Sequence, residues 1–87
     1  METLLKPLTL EEAKTKMNEF NQIEGVVALD TNEFFNADEE SILVLLSEKL
    51  IGKDILEEVN FSVVGNEGDT IFIKVEATIP EYLLEEV

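Results

Sequence analysis

The side chains able to do chemistry in this chain are almost all carboxylates. Twenty Asp and Glu residues stand against six lysines, with no histidine, cysteine or arginine. Acid–base or nucleophilic work would fall to carboxylates, lysines, hydroxyls and the single tyrosine, Tyr82. A paired-carboxylate hydrolase needs a substrate cleft, which 87 residues can hardly supply. Gly25, Gly52, Gly65 and Gly68 do not form a phosphate-binding loop. Asp30-Thr31-Asn32 opens like a calcium loop, but Phe35 stands where that loop needs glycine and Ser41 where it needs glutamate. Ser41 also lacks the Asp-Ser-Leu setting of a carrier-protein serine. The expectation is a protein without enzymatic activity, cofactor or metal.

What is left to explain is where the acids stand. Asp30 and Glu33 precede the aromatic pair Phe34-Phe35, and Asp38, Glu39 and Glu40 follow it after two intervening residues. Glu67 and Asp69 sit in the turn-like stretch Gly65-Asn66-Glu67-Gly68-Asp69. No lysine occurs between Lys16 and Lys49, or between Lys53 and Lys74. Of the two phenylalanines, one is expected to cap the core and the other to lie on the surface.

The elements that must position these groups can be taken in order. Pro7 argues against a helix through residues 1–8. Thr9 and Glu12 form a capping box, and Leu10, Ala13, Met17, Phe20 and Ile23 follow at helical spacing. A first helix is predicted over 10–24, closed by Gly25. Val26–Leu29 reads as a short buried strand, ended by Asp30-Thr31-Asn32, with the two phenylalanines in a loop. Residues 36–52, NADEESILVLLSEKLIG, read as the central helix. Asn36 is its predicted N-cap, the three acids suit the positive end of its dipole, and Lys49 suits the other. Residues 58–64 alternate as a half-buried strand with Val59, Phe61 and Val63 inward, and 70–79 do so with Ile71, Ile73, Val75, Ala77 and Ile79 inward. The Gly/Asn-rich stretch joins them as a hairpin through a five-residue turn. Pro80 ends the last strand, and residues 81–87 allow a short closing helix.

The predicted fold class is therefore α+β: two layers, with a small three-stranded mixed sheet packed by two helices, in the order α-β-α-β-β. The first two strands would run parallel across a right-handed connection, with the strand order left open. One domain covers residues 1–87. The 45% apolar content suits a globular protein, and no apolar run approaches the ~20 residues of a membrane span. A cytoplasmic location is the expectation.

A net charge of −14 opposes direct binding to nucleic acid or to an anionic membrane and favours basic partners. The predicted topology gathers Asp30, Glu33, Asp38, Glu39, Glu40, Glu67 and Asp69 at one pole together with Phe34 and Phe35, and sends Lys49 and Lys53 to the other. Carboxylates two apart on a strand are ~6.7 Å apart, a spacing like that of phosphates. The functional expectation is a protein-binding inhibitor that occupies the basic nucleic-acid-binding surface of a partner such as a nuclease. In size and charge the chain resembles the small acidic DNA mimics of phages and mobile elements that block nucleases or restriction systems, of anti-restriction or anti-CRISPR type. The alternative is a structural or assembly protein, such as a homodimer, built through an exposed 70–79 edge or the Leu4-Leu5 and Leu83-Leu84 pairs, its acidity serving solubility.

Overall fold

A computed structural model describes Thr3, Leu4 and residues 6–84. Its elements run α1 (Leu10–Lys16), β1 (Gln22–Asp30), α2 (Thr31–Asn36), α3 (Glu39–Ile51), β2 (Glu57–Glu67), β3 (Thr70–Thr78) and α4 (Glu81–Leu84). The α+β class is as predicted; the sheet is not mixed. Its order is β1-β3-β2 and both pairings are antiparallel. β1 and β2 do point the same way, but β3 lies between them, so they share no ladder. The strand expected to offer an exposed edge is thus the central one, and the open edge belongs to β2.

Local chemistry explains most element ends. The Thr9 hydroxyl accepts from the Glu12 amide and the Glu12 carboxylate accepts from the Thr9 amide, both at 3.1 Å, completing the capping box. The helix then stops at Lys16, well short of the predicted residue 24. The cause is Asn18, whose side-chain oxygen accepts from the amides of Phe20 and Gln22, at 2.8 and 3.0 Å. This local turn competes with the helix, and Asn21 adopts a left-handed φ of 62° within it. Phe20 is consequently exposed, while Ile23 is buried in β1 instead of on a helix face. Gly25 is no cap either. It lies in mid-strand, where a Cβ would come within 2.9 Å of Leu50 Cδ1 and 3.1 Å of Leu4 Cδ1.

The central helix begins later than predicted, with Asp38 and not Asn36 as N-cap, its carboxylate accepting from the Ser41 amide at 2.8 Å. Gly52 ends it as expected, with φ 78°. The predicted aromatic loop is α2, capped by Asp30. The predicted five-residue turn is a tight one, Gly68-Asp69, and β2 runs on through Gly65 to Glu67.

The core lies on one face of the sheet. Ile23, Val27 and Leu29 of β1 pair across the ladder with Ala77, Ile73 and Ile71 of β3, and all six are buried. Ile42, Leu46, Leu50 and Ile51 of α3, with Ala13 and Leu8, close over them. Ser47 is the buried polar residue; its hydroxyl donates to the Lys53 carbonyl at 2.7 Å, satisfying a group beyond the helix end. The lead-in runs along the outer edge of β1, where the Leu4 amide donates to the Val26 carbonyl at 2.7 Å, and then crosses α3, where the Leu8 amide donates to the Leu50 carbonyl.

β2 departs from its predicted burial. Phe61 and Val63 lie opposite Val75 and Ile73, on the core face as expected, yet they are 36% and 51% exposed. Only Val59 among the three inward residues is half-buried. The cause is coverage: α2 packs on β1 and β3 and α3 on β1, while Phe34 of α2 meets Phe61 of β2 without covering it.

Leu46 is fully buried at the centre of this layer, so Leu46→Ala should lower stability by about 3–5 kcal/mol. Val63→Thr on bare β2 should change it by less than about 0.5 kcal/mol. Urea unfolding of both variants checks the contrast.

Candidate protein interface

The pole is assembled from strand ends and helix starts. Asp30 closes β1 and pairs with Thr70, which also pairs with Glu67 of β2. The Thr31 amide donates to the Asp69 carbonyl at 2.7 Å, tying the hairpin turn to the first residue of α2. Asp30, Glu67 and Asp69 therefore stand at the same end of the sheet. Asp30 also caps α2, its carboxylate accepting from the Asn32 amide at 2.8 Å, a structural use of the residue that opened the calcium-like tripeptide.

The start of α3 belongs to that end as well. Leu50 lies against Gly25, and Leu45, Glu48 and Lys49 share a groove with Val27 and Ala28. A helix rises ~1.5 Å per residue and a strand ~3.4 Å, so following α3 back from Leu45 to Glu40 brings it to about the level of Asp30. Asp38, Glu39 and Glu40 are all exposed there. Asp38 is engaged as a cap, and the Ser41 amide and hydroxyl hold its carboxyl below the usual aspartate range.

Glu33 is exposed and lines an open groove together with Lys6, Glu48 and Lys49. Lys49 lies in the last turn of α3, beside Leu50, which meets Gly25 in mid-strand. Among the described residues, the ion pairs are those of Lys74 with Glu24 and Glu76, on the opposite face of the sheet from the core. None involves a pole residue.

The two phenylalanines divide their work. Phe34 is half-buried against the core and meets the Phe61 ring edge-on, with centroids 6.2 Å apart. Phe35 stands edge-on to Phe34 at 5.4 Å and is 71% exposed. Phe35 is thus an exposed aromatic ring buttressed by a second one, with Glu33 and Asp38 near it in the chain. The sequence reading missed that this aromatic surface continues onto β2 through Phe61 and Val63. The signal available was the crowd of acids at the ends of that strand, Glu57, Glu58 and Glu67, which is how edge strands are commonly marked.

Among the described residues, no cluster of three or more acids is arranged to hold a metal ion, and no helix is long and apolar enough to cross a membrane. Comparison with protein-family models, with curated proteins and with solved structures finds no significant match.

The lowered pKa of Asp38 has a sign that can be tested. A carboxyl depressed in the folded state adds stability above its unfolded value and loses that contribution as pH falls through the folded one. The stability difference between the native chain and Asp38→Ala should stay constant above the ordinary aspartate value of 3.8 and shrink below it. Urea unfolding across a pH series measures it; a gap that persists unchanged at the acid end would contradict the carboxylate's role as cap.

Proposed function

We propose that the chain is a protein-binding inhibitor that sets its acidic pole on the basic nucleic-acid-binding surface of a partner, imitating the phosphate backbone. The observation that carries this reading is that Asp30, Glu67 and Asp69 share one end of the sheet with Asp38, Glu39 and Glu40 exposed at the start of α3, and that Phe35, between them in the chain, is exposed. The carboxylates would steer and register a cationic groove, and the ring would supply the desolvated anchor. The partner would be a nuclease or similar protein of the cytoplasm, blocked in the anti-restriction or anti-CRISPR manner. The chain would act by occupancy, without catalysis.

Immobilised chain should retain a basic nucleic-acid-binding protein from a host lysate at low salt, release it at moderate salt, and release it to added DNA. Replacing Asp38, Glu39 and Glu40 by Ser, Gln and Gln keeps a capping hydroxyl at the helix start while removing three charges. That variant should bind about tenfold or more weakly, with a smaller salt dependence. Capture of no basic partner, or full affinity in the substituted chain, would sink the proposal. Light scattering tests the assembly alternative, since a stable dimer that hides the pole would favour it.

A further inference from the structure

Among the described residues, the outer edge of β2 is the least protected backbone in the sheet. β1 has the lead-in along its outer side, and β3 is paired on both. Along β2, only Val59 and Gly65 are half-buried and every other residue is exposed. Two irregularities interrupt the strand, between Glu57 and Asn60, where Glu58 takes a φ of 48°, and between Val63 and Gly65. Between them, Asn60–Val63 pair regularly with Glu76–Ile73. A short, regularly paired stretch of edge is thus framed by two register shifts.

Its side chains carry an apolar centre and acidic ends. Phe61 and Val63 stand on the core face, continuous through Phe34 with exposed Phe35. Glu57 and Glu58 lie before them and Glu67 after, with no basic residue between Lys53 and Lys74. A strand added here would extend the ladder and lay its own apolar side chains beside Phe61 and Val63.

Charge decides what that strand can be. A second copy pairing antiparallel about Ser62 would set Glu57 against Glu67 of the other chain at both ends. Pairing in parallel register would set each glutamate against its own counterpart. Both arrangements bring like charges together between chains of net charge −14.

We propose that the edge of β2 is a strand-addition site for an extended segment of a basic partner, apolar at its centre and carrying lysine or arginine at both ends. This rests on the reading of the chain as a binder of basic proteins, and adds the form of the partner's contact and the place where it lands. The register shifts limit the added pairing to a short stretch, so the segment contributes a brief strand with its cations beyond either shift.

The probe is a synthetic peptide of alternating valine and threonine with a pair of lysines at each end. Amide exchange on the full chain should show the outward-facing amides within Asn60–Val63 slowed by about tenfold or more at saturating peptide. Val63→Lys, at an exposed position, should weaken binding about tenfold or more, while the Asp38, Glu39 and Glu40 substitutions should change it less than about threefold. The same peptide with glutamates replacing its lysines should not bind. Unchanged β2 amides, or equal binding by the glutamate peptide or by Val63→Lys, would overturn the proposal. Loss of peptide binding with the pole substitutions alone would place the contact at the pole, sparing the inhibitor reading and refuting the strand site. Protected β2 amides in a peptide-free dimer would assign the edge to a second copy and refute it as well.

Discussion

The structure depends on the pairing of β1 with β3. These strands come from opposite ends of the chain, and their register joins Gln22 to Thr78 and Asp30 to Thr70. Placing β3 in the centre buries its inward residues, Ile71, Ile73, Val75 and Ala77, under the helical layer. It also leaves β2 as the strand that no helix fully covers. The same pairing brings the end of β1 to the hairpin turn, which is why Asp30, Glu67 and Asp69 meet. Core, bare edge and acidic pole are three results of one strand order.

The second constraint is charge. Twenty acids repel one another across a molecule of only 87 residues, and the apolar layer between α3 and the sheet must hold against that. Some acids offset this by working as caps: Glu12 for α1, Asp30 for α2 and Asp38 for α3 each accept a backbone amide. Lys74 pairs with both Glu24 and Glu76 on the outer face, offsetting one of their two charges. Among the described residues, the remaining carboxylates at the pole and on β2 make no such cap or ion pair. Phe35, Phe61 and Val63 are exposed on the same molecule.

Much of this was legible in the residues. The Thr9–Glu12 box, Gly52 as a cap and the alternation from Ile71 to Ala77 are local patterns, and local patterns survive into the structure. What failed was decided by competition or by coverage. Phe20 and Ile23 continue a helical spacing, but Asn18 offers the backbone a turn that spacing cannot reveal. Asn36 and Asp38 are both good caps, and only the path out of α2 selects Asp38. The alternation of Val59, Phe61 and Val63 correctly gave the face on which they stand. It could not give their exposure, which depends on how far α2 and α3 reach. That Asp30, Glu67 and Asp69 share one end was readable because it follows from strand direction, whereas the place of Lys6 in the groove with Glu33 depends on how the lead-in folds back.

The long register between β1 and β3 also sets the order of events as the chain folds. The β2–β3 hairpin closes through two turn residues, whereas Gln22 and Thr78 are 56 positions apart (78 − 22). Hairpins form in ~1–10 μs, but pairings this distant in sequence come slowly because chain entropy is lost before contacts repay it. A hairpin formed on its own would leave Ile71, Ile73 and Val75 uncovered on one side. Mutual repulsion among chains so densely acidic would oppose the association of such species. The acidity that costs the finished fold stability would thereby work against aggregation on the way to it.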